Sequence, residues 1–289
     1  MKNARWIQLL LGLLCMVVIS SPQYVWTLFT QPLMTTTGAT LAQIQITFSV
    51  LIVMQTFLAP CQGLLVDRFG PRALLSVGGA LTGLSWVLAA RATTLAELYL
   101  TYGLLGGIGT GIVYVGVIGH MVQWFPDRRG FATGVVAAGY GMGALLTTFP
   151  IAELLKDAGY QQALVRYGLI FIAVGVVAAQ GLRSANPKSQ IPNPKTQTGS
   201  RIPLDSARGK PSPGSRQVRP SDMLRTPIFW LMFVMMTMMS TAGLMVTSQM
   251  AAFTRDFGMA NALVFGLPLL PLALSIDRIT NGLTRPFFG

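Results

Sequence analysis

The sequence predicts an all-α protein that crosses a membrane several times. Only 10% of its residues are charged and 52% are hydrophobic, whereas a soluble domain carries roughly 25% charged residues. The apolar residues form long blocks, close to the roughly 20 residues that a helix needs to cross about 30 Å of hydrocarbon. Because backbone groups in lipid must be satisfied within the protein, we expect each block to be a helix.

Eight apolar blocks follow one another along the chain. They cover residues 6–30, 42–66, 73–92, 95–123, 130–155, 163–182, 227–253 and 261–289. The first block is too long for a signal-peptide core and has no small-residue cleavage site, so we interpret it as a retained span. Cys15 and Cys61 lie inside blocks without a metal-binding spacing, and we expect them to be packing residues.

The formal net charge of +12 reports topology rather than a nucleic-acid partner. Most of the 21 Lys and Arg residues lie at the N-terminus or in three loops on one predicted side, while the connections on the other side carry only Arg91 and Lys156. Basic residues concentrate on the cytoplasmic side of membrane proteins. We therefore expect a cytoplasmic N-terminus, a location in the plasma (inner) membrane, and lipid rather than nucleic acid as a partner.

The stretch 183–225 differs from the rest of the chain because it is rich in Pro, Ser, Gln, Lys and Arg. It cannot bury a core, so we expect a disordered, basic cytoplasmic linker, with lipid headgroup binding as an alternative role. The predicted organisation is a six-helix bundle over 1–182, this linker, and the first two helices of a second bundle over 226–289. The chain ends at Gly289 within an apolar block, and we interpret it as a chain cut short.

The loop after the second block carries a charged motif. It reads GLLVDRFGPR over residues 63–72, which contains the pattern G-x-x-x-D-R-x-G-x-R. Its first glycine permits a close helix approach, its second forms a tight turn with proline, and its aspartate can meet a helix N-terminus or a basic group. We expect a latch that is made in one state and broken in another; the alternative is that the arginines only set topology. The residues assigned to this gating are Gly63, Asp67, Arg68, Gly70 and Arg72.

A second loop, WFPDRRG over 124–130, has similar chemistry. We expect Asp127 to cap the following helix, whose first residues are basic. Topology and gating remain equally open for Asp127 and Arg128.

The fourth and fifth blocks are rich in glycine. Gly103, Gly107 and Gly111 repeat a small-x-x-x-small spacing that lets helix backbones come close. A nucleotide-binding loop is a poor alternative, because no strand precedes these glycines and no Lys-Ser/Thr follows. We see no nucleophile–base pair, metal cluster or phosphate loop, and we expect neither an enzyme nor a cofactor or metal.

Polar side chains inside the blocks point to a pocket, since polar groups in lipid usually face a cavity. They are Gln23, Tyr24, Trp26, Gln45, Tyr114, His120, Tyr140, Asp277, Arg278, Asn281 and Arg285. Arg278 and Arg285 are seven residues apart, nearly on one helix face and about 10 Å apart along it. Arginine is a permanently charged fork suited to carboxylates. This predicts an anion pocket, although either arginine can instead pair with Asp277 or extend to an interface, and His120 can be a packing residue.

Several stretches together resemble the oxalate:formate antiporter family of the major facilitator superfamily. They are residues 23–29 (QYVWTLF), 66–72 (VDRFGPR), 111–114 (GIVY), 124–130 (WFPDRRG), 137–141 (AAGYG) and 281–289 (NGLTRPFFG). They cover almost all of the chain outside the linker, in the order of the family.

The resemblance implies two helical bundles flanking a central linker, with secondary active transport of a small carboxylate such as oxalate or formate by alternating access. It implies that Arg285, in the N-G-x-x-R-P run, binds the substrate carboxylate, and that the site is lined by Tyr24, Gln23, Gln45, Tyr114 and Tyr140. The alternative is a truncated membrane protein, a disrupted gene product or scaffold, that does not transport.

Overall fold

The computed structural model describes residues 2–183, 225–259 and 261–288. Within these residues the regular secondary structure is helical apart from one short hairpin, as the predicted all-α class requires. One compact unit comprises Met1–Asn186 with Thr247–Gly289, and a second comprises Pro187–Val246. The predicted linker over 183–225 lies outside the described residues except at its two end positions.

The first predicted block is longer and more broken than expected. It folds as α1 (Lys2–Val18), α2 (Ser21–Tyr24) and α3 (Trp26–Thr37). The break after α1 has a local cause, because Pro22 lacks a backbone N–H and the Ser20 hydroxyl donates to the carbonyl of Val17. α3 ends at Gly38, whose φ of 66° lies in the left-handed region.

The second block bends in the middle. It folds as α4 (Leu41–Phe57) and α5 (Ala59–Phe69), with a bend of 51° between them. α4 begins with a capping box between Thr40 and Gln43. Pro60 stands in the first turn of α5, where its missing N–H is not needed. α5 ends at Gly70 (φ 82°, ψ 156°), in a region that only glycine adopts readily, and α6 (Pro71–Ala89) begins at the next residue.

The fourth block is one continuous run of three pieces. They are α7 (Leu95–Leu98), a π-helical segment (Tyr99–Leu105) and α8 (Gly106–Trp124). Two of its glycines face α4 and α5: a Cβ added to Gly107 would lie 2.6 Å from the carbonyl oxygen of Leu51, and one added to Gly111 would lie 2.6 Å from Nε2 of Gln62. The close helix packing predicted from the glycine spacing is therefore confirmed.

The fifth and sixth blocks form α9 (Arg129–Met142) and α10 (Leu145–Gln180). α10 is interrupted at Gly159 (φ 82°, ψ 168°), so the connection expected over 156–162 reduces to a break at one glycine. The second part of α10 packs on α6, where a Cβ on Gly168 would lie 2.7 Å from the carbonyl oxygen of Gly83.

The end of α10 is tied to three other helices through residues 181–183. Gln8, on α1, donates to the first carbonyl of this segment (3.2 Å) and accepts from its last N–H (2.9 Å). Arg72, on α6, donates to the middle carbonyl (3.2 Å), and Trp124, on α8, donates to the last one (2.9 Å). Side chains therefore hold the segment together with the backbone hydrogen bonds that Gly181 and Leu182 donate to Ala178 and Ala179.

The last described region contains α11 (Pro227–Asp256), an antiparallel hairpin of β1 (Leu263–Val264) and β2 (Leu267–Pro268), and α12 (Leu269–Phe288). The predicted eighth block thus begins with a hairpin rather than a helix, because Phe265 and Gly266 adopt positive φ values of 54° and 76°. In the second compact unit, the described part of α11 exposes apolar side chains such as Met232 and Met235.

Among the described residues, five helices are long and apolar enough to cross a membrane, or six if the bent pair counts as one span. They are Ala4–Tyr24, Pro71–Ala89, Leu95–Trp124, Arg129–Gln180 and Pro227–Asp256, with Leu41–Phe57 plus Ala59–Val66 as the pair. Arg129–Gln180 has 52 residues and contains the break at Gly159, so it covers two predicted blocks. α12, which carries the charged residues Asp277, Arg278 and Arg285, is not among them.

Candidate functional site

Arg285, near the end of α12, reaches across to two other helices. Its Nε and Nη2 donate to Oδ1 of Asn281, one turn earlier, at 3.2 and 3.1 Å. Its Nη1 donates to the carbonyl of Ala137 on α9 (3.2 Å), and its Nη2 also donates to the hydroxyl of Tyr24 on α2 (3.3 Å). The guanidinium is thus held in place by Asn281 and faces the first part of the chain.

Glycines bring α12 close enough to α9 for this contact. A Cβ added to Gly141 would lie 3.1 Å from Cα of Gly282 and 3.4 Å from Nε of Arg285. A Cβ added to Gly282 would in turn overlap the side chain of Met142. Side chains on either glycine would therefore push away the helix that carries Arg285.

Three tyrosine rings form a cluster, and two of them, Tyr24 and Tyr140, contact the guanidinium. The ring centre of Tyr140 lies 5.3 Å from that of Tyr24 and 5.0 Å from that of Tyr114, and 6.0 Å from Cζ of Arg285. The Tyr140 hydroxyl donates to Oε1 of Gln23 at 2.5 Å. The structure therefore brings together five of the predicted substrate-binding residues from α2, α8, α9 and α12.

Two glutamines of α4 occupy different places. Gln45 lies apart from the tyrosines, where it accepts from Nε1 of Trp26 (3.0 Å) and donates to the carbonyl of Ser248 (2.8 Å). Gln55, which the sequence analysis did not single out, donates to the hydroxyl of Tyr140 at 3.1 Å. Its position in the middle of an apolar block is a sequence signal that was available.

Arg278 also lies at this site, where the sequence predicted it as one of two arginines of an anion pocket, although the family resemblance assigned it no role. It is fully buried, forms an ion pair with the neighbouring Asp277, and donates to the hydroxyl of Thr247 at 3.0 Å. Its Cζ lies 4.1 Å from the ring centre of Tyr24, a cation–π contact. Pairing with Asp277 was the structural alternative considered for this arginine. His120 is a buried packing residue that shares a hydrogen bond of 3.1 Å with Gln8.

The predicted gating residues of the first loop lie at the junction of α5 and α6. Gly70 forms the turn before Pro71 with its positive φ. Gly63 does not require close approach, since an added Cβ would meet only Cγ1 of Val115 at an ordinary 3.7 Å. The Cζ of Arg68 lies 5.6 Å from the centre of the Phe69 ring. Arg72 holds the segment after α10, whereas the side chain of Asp67 lies outside the described residues.

Asp127 does not cap α9 as expected. The residue at the cap position is Arg128, whose side chain makes no capping hydrogen bond. Asp127 instead forms an ion pair of 3.1 Å with Arg5 at the start of α1, because that guanidinium offers a stronger partner than a helix end. The contact links α1 to the loop between α8 and α9.

The charges of the site favour an anion. Arg278 and Arg285 are permanently protonated, and they contact the ring and the hydroxyl of Tyr24 respectively, while Asp277 is the one carboxylate that pairs with either within the described chain. Buried charge is costly unless it is paired, and charge-assisted hydrogen bonds to a carboxylate are among the strongest available. The arrangement can therefore bind a small carboxylate between tyrosine, amide and guanidinium donors.

Comparison with known proteins places the chain in a family. The profile of the Major Facilitator Superfamily matches residues 9–289. The chain is 33% identical over 288 residues to the oxalate:formate antiporter of Oxalobacter formigenes. This alignment covers 99% of this chain and 62% of that protein. The chain is 26% identical over 245 residues to the MFS-type transporter YhjX of Escherichia coli (strain K12), covering 85% of this chain and 56% of the relative.

A more distant similarity extends to human monocarboxylate transporter 14, with 27% identity over 157 residues, 54% of this chain and 31% of that protein. The chain spans less than two thirds of the length of each of these relatives. Its apolar helices and the family match together show that it is a multi-pass membrane protein and a member of the major facilitator superfamily.

Proposed function

We propose that this chain carries the substrate site of a secondary active transporter that moves a small organic anion, of the oxalate or formate type, by alternating access. The observation that carries the proposal is the partly buried guanidinium of Arg285, which meets the hydroxyl of Tyr24 at 3.3 Å. Two of the relatives are named as carboxylate carriers, an oxalate:formate antiporter and a monocarboxylate transporter. Arg285, Tyr24, Gln23, Tyr114 and Tyr140 are the proposed substrate-binding residues; Gln45, which lies apart, is proposed as a more remote contributor.

The proposed architecture places the site between two bundles. The first bundle covers residues 1–182, the cytoplasmic linker 183–225, and the start of the second bundle 226–289. The N-terminus is cytoplasmic and the membrane is the plasma membrane, on the basis of the basic residues on one side of the sequence. Gating is assigned to the loop around Gly70 and Arg72 and to the Arg5–Asp127 pair, which joins separate helices.

Arg285→Gln tests the site. The amide keeps polarity and most of the side-chain volume but removes the charge, so we expect the affinity for radiolabelled oxalate and formate to fall at least tenfold, which corresponds to about 1.4 kcal/mol. Equilibrium binding to the purified chain in detergent measures this affinity. Exchange of the same anions across proteoliposomes measures the transport step.

The matched control is Arg166→Gln, since Arg166 bonds to Gln162 on the surface of α10. Formamide, which is similar in size to formate but uncharged, should not compete. Unchanged binding by the Arg285 variant would contradict the site assignment. Binding without exchange by the wild-type chain would instead favour the alternative of a membrane protein that does not transport.

A further inference from the structure

Arg278 has hydrogen-bond donors without acceptors. The residue is 0% exposed, and only its Nη2 is engaged, by the hydroxyl of Thr247 and the carboxylate of Asp277. Its Nε and Nη1 make no hydrogen bond within the described part of the chain. A buried N–H without an acceptor is costly and is rare in proteins unless a water, ion or ligand completes it.

These donors lie beside the proposed substrate site. Tyr24 contacts both arginines, with its ring centre 4.1 Å from Cζ of Arg278 and its hydroxyl 3.3 Å from Nη2 of Arg285. Arg278 and Arg285 are seven positions apart on α12, which corresponds to about 10 Å along the helix. A short molecule with a carboxylate at each end can therefore bind one guanidinium through each carboxylate.

Within the described residues, one carboxylate pairs with the two guanidinium groups of the site. It is that of Asp277, which pairs with Arg278 and whose side chain is 34% exposed. Moving Asp277 further into solvent costs less free energy than moving the fully buried Arg278. If a carboxylate from a ligand replaced Asp277, a dianion would balance both arginines and would accept from the donors that lack partners.

We propose that Arg278 is a second carboxylate-binding residue of this site, and that Asp277 occupies it as an internal counter-ion until a substrate with two carboxylates replaces it. The inference rests on the proposed function, because it assumes that Arg285 binds the first carboxylate. A monocarboxylate then uses Arg285 alone, whereas a dicarboxylate uses both arginines. Arg278 thereby becomes the residue that discriminates between the two classes.

The experiment measures equilibrium binding of labelled oxalate and labelled formate to the purified full chain. For Arg278→Gln we expect the oxalate affinity to fall at least tenfold and the formate affinity to change less than twofold. Arg285→Gln should weaken both anions. An equal loss of both anions in the Arg278 variant, or undiminished oxalate binding, would overturn the proposal.

Asp277→Asn provides a second test with the opposite sign, which remains informative if the Arg278 variant does not fold. Asparagine has the same shape without the charge, so the internal competitor is weakened and oxalate affinity should rise severalfold while formate affinity stays the same. An unchanged or lower oxalate affinity would count against the proposal. If the wild-type chain binds neither anion, the proposed function itself fails; if it binds both and the two variants keep the wild-type ratio of affinities, only the role of Arg278 fails.

Discussion

Tyr140 joins two amide groups that come from different helices. Its hydroxyl donates to Gln23 on α2 and accepts from Gln55 on α4, and its ring packs between the rings of Tyr24 and Tyr114. One side chain of α9 therefore positions much of the aromatic lining of the proposed site.

Tyr140→Phe should lower the free energy of unfolding, because it leaves the buried side-chain amide oxygen Oε1 of Gln23 without its hydrogen-bond donor. An unsatisfied buried group costs about 1–3 kcal/mol. The apparent melting temperature of the purified protein in detergent measures the change. Tyr167→Phe is the matched control, since the Tyr167 hydroxyl makes no hydrogen bond within the described residues. Equal melting temperatures for the two variants would contradict the role of Tyr140.

At the scale of single residues, the sequence predicted which residue types form the proposed site better than it predicted which residues they contact. Arg285 and the tyrosines are recognisable because charged and phenolic groups are expensive in apolar blocks. The sequence could not choose between Gln45 and Gln55, which lie ten positions apart in one helix, because the choice depends on which turn of α4 faces Tyr140. Nor could it tell that Arg278 contacts Tyr24, a residue more than 250 positions away in the chain.

Helix packing in this protein depends on particular glycines rather than on glycine content. Gly107 lies against the backbone of α4, with an added Cβ 2.6 Å from the oxygen of Leu51 and 2.8 Å from Cβ of Met54. Gly119, on the same helix, has nothing within 4 Å of an added Cβ. The two positions therefore form a natural pair for comparison.

Gly107→Ala should destabilise the protein by about 1–3 kcal/mol, because the methyl group meets backbone and the helices must separate. Gly119→Ala should be neutral or slightly stabilising, since alanine is favoured over glycine within a helix by about 1 kcal/mol. Thermal unfolding of both variants in detergent gives the comparison. Similar destabilisation by the two substitutions would show that helix approach is not the cause.

The elements themselves were largely predictable, and their breaks were not. The length of each apolar block indicates a helix, and the small-residue spacing in α8 indicates a close contact. The breaks at Ser20 and Gly159 depend on local backbone conformation. The hairpin before α12 was missed for a related reason, because the residues 263–268 are apolar and continue the hydropathy of the helix that follows.

Across the whole molecule, the Arg5–Asp127 pair joins the start of the chain to the loop between α8 and α9. Its side chains are 40% and 55% exposed, so it adds little to stability. An ion pair that is stable in one conformational state can nevertheless bias the equilibrium between two states.

Asp127→Asn should therefore change the melting temperature very little, within the roughly 1 kcal/mol typical of exposed ion pairs. For the proposed transporter, the rate of anion exchange across proteoliposomes should fall severalfold, because the proposed cycle passes through the state that the pair stabilises. Reversing both charges, with Arg5→Asp and Asp127→Arg in one protein, should restore exchange. A charge-reversed protein that is no faster than the single variant would exclude gating by this pair.

The attachment of residues 181–183 has a mechanical consequence. Three side chains from α1, α6 and α8 form hydrogen bonds to this short segment, and that of Gln8 bonds to both its first carbonyl and its last N–H. A load applied to the chain beyond it is therefore distributed over three helices and does not simply unwind the last turn of α10.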